Sequence, residues 1–153
     1  MPYNIHVNLA LPKIKASNQN QVFEILAKET SAKIFHPKQS LLNLLIEQEN
    51  ISSSGIGDGV AIPHIKLNSI PSRFVMVATL ETPVEFKSVD DRPVDILCLL
   101  ASPERDGNIH LRGLSRISRI FKNRELCQKL RETDDPETMR TLINNPEGWL
   151  IAA

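Results

Sequence analysis

His64 is the residue in this chain that is best placed for chemistry, because of the segment that leads to it. Three glycines occur within five positions in Ser54-Gly55-Ile56-Gly57-Asp58-Gly59-Val60-Ala61-Ile62-Pro63-His64. Glycine lets a backbone approach a ligand closely and turn its N–H groups toward it. A glycine cluster before a strand is often only a turn, and a single histidine is often only a solvated loop residue. The density of this segment favours a nucleophile beside an anion-binding loop, and phosphate is an anion that suits it.

A short strand and two helices are predicted to hold this segment in place. The apolar run over 60–62 predicts a buried strand over 60–63, and Pro63 fixes φ just before His64. Ser17 can cap a first helix, and Pro37 suits the first turn of a second helix. The apolar faces of these helices comprise Val22, Ile25 and Leu26, and Leu41, Leu42, Leu45 and Ile46. His64 is therefore expected at the exposed end of a rigid strand.

Two continuous apolar segments predict the central strands of a sheet. Residues 73–80 and 94–101 are apolar almost throughout, and a short excursion over 84–86 with a turn around Asp90-Asp91 separates them. Strands without polar alternation are typical of a sheet that helices cover on both faces. The predicted fold class is therefore α/β.

The last third of the chain is predicted to be helical. Its first apolar stripe consists of Leu111, Leu114, Ile117, Ile120 and Phe121. Two shorter helices follow, with apolar faces formed by Leu126 and Leu130, and by Met139, Leu142 and Ile143. Asn144-Asn145-Pro146 is expected to end the last helix, and the apolar tail over 148–153 is expected to be detachable.

The composition limits the classes of function. At 153 residues, the chain is expected to form one domain over 1–153. Lys and Arg number 18, as do Asp and Glu, so the chain lacks the basic field that drives nucleic-acid binding. The apolar run over 96–101 is too short to span a bilayer, and residues 1–15 lack the core of a signal peptide. Cys98 and Cys127 have no CxxC spacing, so a cytoplasmic protein with two reduced packing cysteines is predicted.

Residues 54–64 closely resemble the active-site signature of the fructose/mannitol-type enzyme IIA proteins of the bacterial phosphotransferase system. The resemblance covers nearly the whole chain. After two leading helices, the family's order continues with Glu81-Thr82-Pro83-Val84, Pro93-Val94-Asp95-Ile96-Leu97 and His110-Leu111. As a free-standing chain, it resembles the nitrogen-regulatory branch most. The resemblance implies a single domain with a mixed β-sheet sandwiched between α-helices.

The same resemblance implies roles for two histidines. His64 matches the residue that accepts a phosphoryl group from a small histidine phosphocarrier protein. A neutral imidazole is nucleophilic near neutral pH, and its N–P bond is labile enough to pass the group on. His110 matches the second histidine, which is not phosphorylated and would donate to a phosphoryl oxygen or orient His64. His6 and His36 have no such match and are expected at the surface or in caps.

One position departs from the family's pattern. The family usually has an arginine seven residues before the first glycine of Gly-Ile-Gly, and this chain has Gln48 there, between Glu47 and Glu49. Glutamine donates hydrogen bonds but carries no charge, so it does not replace a bidentate guanidinium. Either Lys66 or Arg112 supplies the missing charge, or the phosphoryl group is held less firmly. The predicted phosphoryl-binding residues are Gln48, Ser54, Gly55 and Lys66.

The predicted docking surface surrounds His64, because a phosphocarrier must cover the histidine to transfer its group directly. Ile56, Ile65 and Met76 are the predicted contacts. Ile65 stands where nitrogen-type relatives often have glycine, which would alter the rim of this surface more than the chemistry. Such encounters are small and transient, below about 1,200 Å² in total.

The predicted function is that of a cytoplasmic histidine phosphocarrier with a nitrogen-related regulatory output. Two alternatives stay open. A sugar-transport enzyme IIA would hand the phosphoryl group to a membrane permease component. A regulatory binding protein that has lost phosphotransfer would act through contacts alone, and Gln48 is the main support for it. A histidine metal site is disfavoured, since the four histidines lack HxH or HxxxH spacing, and no cofactor is predicted.

Overall fold

Strands β5 (Phe74–Val84) and β6 (Val94–Pro103) form the centre of the fold in the computed structural model, which describes residues 5–144. Their side chains alternate between two hydrophobic clusters. The first cluster contains Met76, Ala78, Leu97 and Leu99, and the second contains Val75, Val77, Ile96 and Cys98. Both faces of these strands are buried, which explains why their sequences are continuously apolar.

Four shorter strands complete a mixed sheet. They are β1 (Leu9–Ile14), β2 (Gly55–Gly57), β3 (Val60–Ala61) and β4 (His64–Leu67). The strand order is β1-β5-β6-β3-β2, and β4 pairs with the later part of β6. β1 is parallel to β5, β5 is antiparallel to β6, and β3 and β4 are both parallel to β6. The sequence does not predict β1 or β2, because β1 fully buries only one side chain and β2 is Gly-Ile-Gly.

Helices cover both faces of this sheet. Those that pack on the first cluster are α1 (Gln19–Ile34) and α2 (Lys38–Ile51). Those that pack on the second cluster are α3 (Asn108–Phe121), α4 (Arg124–Glu132) and α5 (Pro136–Asn144). A 3₁₀ turn, Glu104–Asp106, connects β6 to α3. The predicted α/β architecture, a mixed sheet between helices, is confirmed.

The helix boundaries differ from the predictions at several positions. The side chain of Asn18, and not that of Ser17, caps α1 by accepting a hydrogen bond from the Gln21 N–H. Pro37 precedes α2 as its N-cap and does not lie in the first turn. Leu111 is 61% exposed, although the apolar stripe predicted it to be buried. The last described residue of α5 is Asn144, and the predicted stop over 145–146 and the apolar tail lie outside the described residues.

The strand that leads to His64 is interrupted. Val60 pairs with Ile96 of β6, and His64 pairs with Leu100 of the same strand. β3 and β4 are therefore consecutive pieces along one edge of β6, separated at 62–63, where Pro63 has no N–H to donate. The predicted single strand over 60–63 is wrong in this respect, because His64 begins a second strand.

Candidate functional site

Strand alternation places His64 on the side of the sheet that faces α3. Ile65 and Leu67 of β4 point into the first hydrophobic cluster, on the side of α1 and α2. Successive side chains of a strand point to opposite faces, so His64 and Lys66 lie together on the other side. His64 is half-buried and Lys66 is exposed. Neither is held in the apolar core, which leaves both able to act on a ligand.

The ring of His110 contacts the ring of His64. His110 lies in the first turn of α3, is only 4% exposed, and places its Nε2 atom 3.4 Å from Nδ1 of His64. The two ring centroids are 5.4 Å apart. On its other side, Nδ1 of His110 lies 2.7 Å from Oγ of Ser102, a residue of β6 that is 1% exposed. The site is therefore a row of three side chains from half-buried His64 to fully buried Ser102.

Both histidines are held in the neutral form near neutral pH. Burial lowers the pKa of His64, Glu49 opposes this shift with its negative charge, and Lys66 adds to it. Burial also lowers the pKa of His110 to about 4, with further lowering from His64 and Lys66 against a small opposing effect of Asp106. A neutral imidazole keeps one nitrogen lone pair, which is what a nucleophile requires.

Gln48 and Glu49 lie near the end of α2, and the structure distinguishes their roles. The carboxylate of Glu49 accepts hydrogen bonds from the Ser54 N–H at 3.1 Å and from Nε2 of Gln19 at 2.9 Å. It is also the carboxylate that acts on His64. Gln48 is half-buried, and its carbonyl accepts from the Ser52 N–H at the end of the helix. The sequence predicts Gln48 as part of the site, whereas the effect of Glu49 on His64 depends on a contact that the sequence does not reveal.

The N–H groups of Ser54 and Gly55 already have protein partners. The Ser54 N–H donates to Glu49, and the Gly55 N–H donates to Oγ of Ser53 at 3.2 Å. A Cβ added to Gly55 would meet Oγ of Ser88, so this glycine allows a close approach of another loop. The part of both residues in phosphoryl binding stays a prediction, which these contacts do not favour.

The glycine-rich turn is built for the protein's own packing. Gly57 and Gly59 have φ angles of 104° and 82°, and Asp58 between them has a φ of 56°. A Cβ on Gly59 would come within 2.7 Å of Nη2 of Arg131, the atom that donates to the Asp58 carbonyl. The same arginine donates from Nε to both carboxylate oxygens of Asp95 at 3.0 and 2.9 Å. These glycines are therefore required by the turn and by the approach of Arg131.

The turn at 57–59 lies away from His64 along β6, whereas the other end of the glycine-rich segment lies close to it, because the Ser54 carbonyl accepts from the Ile62 N–H at 2.8 Å. The Gly59 carbonyl accepts from the N–H of Ile96, near the start of β6. His64 pairs with Leu100, four residues later in that strand. At ~3.3 Å per residue, this separation is about 13 Å. Sequence proximity is misleading here because the intervening chain runs along the edge of the sheet.

The predicted docking contacts need two corrections. Ile65 and Met76 are 5% and 1% exposed and both belong to the first hydrophobic cluster, because strand alternation turns them away from His64. Ile56 is partly buried against the second cluster, so its role stays a prediction. Ile109 and Leu111, which flank His110 in sequence, are instead 54% and 61% exposed. These two exposed apolar side chains lie at the start of α3, on either side of His110 along the helix.

The remaining histidines and cysteines do not join the site. His6 is exposed, and His36 contacts Oγ of Ser69 and Oγ of Ser40, both at 2.9 Å. Cys98 and Cys127 are buried free thiols, as predicted for packing residues. Across residues 5–144, no group of three or more His, Cys, Asp or Glu side chains could hold a metal ion. No helix within this same range is long and apolar enough to cross a membrane.

The site thus consists of two contacting histidines with lowered pKa values, at the edge of a mixed sheet between helices. Residues 4–145 match a family described as "Phosphoenolpyruvate-dependent sugar phosphotransferase system, EIIA 2". The chain belongs to this family, and it is therefore a IIA component of a phosphotransferase system.

Several relatives support this assignment. The chain is 32% identical over 136 residues to a nitrogen regulatory protein of Bradyrhizobium diazoefficiens, covering 89% of each chain. It is 25% identical to the fructose-specific EIIA component of a phosphotransferase system in Haloferax volcanii, covering 88% of each. Its fold matches the crystal structure of the nitrogen regulatory protein IIA-Ntr from Neisseria meningitidis with a TM-score of 0.82. That match covers 88% of this chain and 91% of the other, at 23% identity.

Proposed function

We propose that His64 accepts a phosphoryl group on Nε2 from a small histidine phosphocarrier protein and later passes it on or reports its presence. The observation that carries this proposal is the contact between Nδ1 of His64 and Nε2 of His110 at 3.4 Å. Because one ring nitrogen of His64 faces His110, the other, Nε2, is the one that an incoming group can reach. The half-buried position of His64 allows this approach while excluding part of the solvent.

The transfer exchanges one N–P bond for another. The lone pair on Nε2 of His64 forms the new bond to phosphorus, and the electrons of the old bond remain on the donor imidazole. The proton on Nδ1 of His64 stays in place, hydrogen-bonded to the neutral ring of His110. The transferring group carries nearly two negative charges, so the protein contributes mainly by positioning and by stabilising charge.

Lys66 is the cation best placed to stabilise that charge. It lies on the same side of β4 as His64, and its charge acts on both histidines. The sequence left Lys66 and Arg112 as equal candidates, and the electrostatics of the site favour Lys66. Gln48 completes the proposed phosphoryl-binding group as a neutral hydrogen-bond donor. With Lys66 as its cation, the site holds the phosphoryl group less firmly than it would with an additional, bidentate arginine.

The proposed docking surface for the phosphocarrier consists of His64, Lys66, Ile109 and Leu111. Exposed apolar side chains beside a reactive group favour a partner that excludes water during transfer. Ile109 and Leu111 flank His110 at the start of α3 and provide this apolar part. A carrier seated there would cover His64, which direct transfer between two imidazoles requires.

The proposed output is regulation related to nitrogen metabolism, with a cytoplasmic location. The nitrogen regulatory relatives, matched along nearly their whole length, support it. Transfer to a sugar permease component is the second candidate, favoured by the fructose-specific relative. The paired neutral histidines disfavour the third alternative, a binding protein that has lost phosphotransfer, because such a protein would have no use for a nucleophile.

The test is phosphoryl uptake by the full chain, detected by mass spectrometry of the intact protein. The protein is incubated with its phosphocarrier protein, which is charged from phosphoenolpyruvate. We expect one acid-labile phosphoryl group on the wild type and on a His36→Asn control, and none on His64→Asn. An unmodified wild type, or a modified His64→Asn, would contradict the proposal.

A further inference from the structure

Ser102 is a polar residue at the end of an otherwise apolar buried run. Residues 96–101 of β6 are all apolar, and Ser102 follows them with 1% of its surface exposed. Its hydroxyl lies 2.7 Å from Nδ1 of His110, which is the shortest contact in the row that leads to His64. A buried hydroxyl at this distance is a hydrogen-bond partner, and it can either donate or accept.

The row of hydrogen bonds can run in two directions, with opposite consequences for His64. In the first, Nδ1–H of His64 donates to Nε2 of His110, and Nδ1–H of His110 donates to Ser102. In the second, Ser102 donates to His110, and Nε2–H of His110 donates to His64. A neutral imidazole has one N–H, so each direction fixes both tautomers. Only the first leaves a lone pair on Nε2 of His64.

We infer that Ser102 is a positioning residue, which accepts the Nδ1–H of buried His110 and so holds His64 in the tautomer whose Nε2 lone pair is available. The choice of this direction rests on the proposed function, because only this tautomer leaves the Nε2 lone pair of His64 free, whereas the tautomers can be measured without any transfer. Ser102 touches neither phosphoryl group nor His64, and it acts through His110 alone. It would keep the same tautomer through forward and reverse transfer, because the Nδ1 proton of His64 never leaves.

Removal of the Ser102 hydroxyl should reverse the direction of the hydrogen bond between His110 and His64. Without Ser102 as acceptor, the Nδ1–H of His110 is a buried donor with no partner, which is costly. The ring would then favour the other tautomer and donate from Nε2 to His64. That moves the proton of His64 onto Nε2, where it blocks bond formation with phosphorus.

The test compares Ser102→Val with Ser102→Thr, two side chains of nearly equal shape of which only Thr keeps a hydroxyl. Long-range ¹H–¹⁵N spectra of unphosphorylated, ¹⁵N-histidine-labelled protein report which nitrogen of each ring is protonated. We expect Nδ1–H on both His64 and His110 in the wild type and in Ser102→Thr, and Nε2–H on both rings in Ser102→Val. Phosphoryl uptake should slow at least about fivefold in Ser102→Val, since one buried hydrogen bond is lost, and should be retained in Ser102→Thr.

An Nε2–H tautomer of His64 in the wild type would overturn the inference, even if Ser102→Val failed to fold. Unchanged tautomers in a folded Ser102→Val would also overturn it. The proposed function is tested separately, because tautomers are read without any transfer. If they shift as expected and the wild type accepts no phosphoryl group, the role of Ser102 in setting the tautomers stands and the phosphocarrier proposal fails.

Discussion

His64 is subject to opposing electrostatic effects from its surroundings, and their balance sets the protonation state of this proposed nucleophile. Burial and Lys66 lower its pKa, whereas the Glu49 carboxylate raises it. The net lowering keeps the ring neutral near neutral pH, when its lone pair is available. Glu49 is held in place by Ser54 and Gln19, so its effect is a fixed property of the site.

We predict that Gln48→Arg lengthens the lifetime of phosphorylated His64. An added guanidinium would provide a charged hydrogen bond, worth about 1.5–3 kcal/mol against about 1 kcal/mol for a neutral one. Glu47 and Glu49 can attract the new arginine, but a phosphoryl group with nearly two negative charges competes well with a single carboxylate. The measurement is the hydrolysis half-life of the phosphorylated protein at fixed pH and ionic strength.

Gln39→Arg is the matched control for this change. Gln39 lies nine residues earlier in α2, about 14 Å along the helix at 1.5 Å per residue. Its replacement adds the same charge far from His64 and should leave the half-life unchanged. If Gln48→Arg, like Gln39→Arg, leaves the hydrolysis half-life unchanged, Lys66 already supplies the charge that the site needs.

Residues of the site differ in how far the sequence could predict them. A motif and a family resemblance predict His64 and His110, and the structure brings their rings into contact. Ser102 and Glu49 were missed, since their roles depend on contacts between β6 and α3 and between α2 and the start of β2. The one available signal for Ser102 is a polar residue that ends a long buried strand.

At the scale of elements, the broken edge strand β3–β4 determines what His64 can contact. Apolar periodicity predicted α1, α2, β5 and β6, because buried faces determine those patterns. It did not show that the chain pairs with β6 in the same register on both sides of Pro63, which places His64 four residues along β6 from Val60, the residue next to the glycine turn. The exposed positions of Ile109 and Leu111 likewise depend on how α3 packs on the sheet.

Leu111→Asp is predicted to slow phosphoryl transfer from the phosphocarrier about tenfold or more, the effect of losing one important apolar contact at an interface. Leu111 is 61% exposed, so the change should leave folding intact. The readout is the rate of transfer at a subsaturating concentration of phosphorylated carrier.

Val89→Asp provides the control for this surface. Val89 is 82% exposed and lies against Gly57, beside the turn at the far end of β6. Its replacement should leave the transfer rate within about twofold, since surface changes away from an interface have small effects. Equal slowing by both variants would place the docking surface elsewhere.

In the molecule as a whole, strands β5 and β6 contribute side chains to both hydrophobic clusters. The histidine pair lies at the edge of the sheet that these strands form. Because the folded state lowers the pKa values of His64 and His110 below the ordinary value of 6.5, folding and protonation are coupled. The sequence predicted this two-sided architecture from continuous apolar strands. It could not predict the coupling, which depends on the burial of His110 against Ser102.

We predict that the free energy of unfolding decreases as pH falls from 6.5 toward about 4, the pKa to which burial and its neighbours lower His110. In that window the unfolded chain binds protons that the folded chain does not, so acidification favours unfolding. Urea titrations at several pH values measure this slope. His110→Gln should flatten it, and an unchanged slope in that variant would show that other groups cause the loss.

The most direct test of the central claim is to identify the atom that carries the phosphoryl group. The ¹⁵N-histidine-labelled protein is phosphorylated by its carrier, and long-range ¹H–¹⁵N spectra locate the phosphorylated nitrogen. The contact between His64 and His110 predicts phosphorus on Nε2 of His64, with His110 unmodified. Phosphorus on Nδ1 of His64, or on His110, would contradict the account.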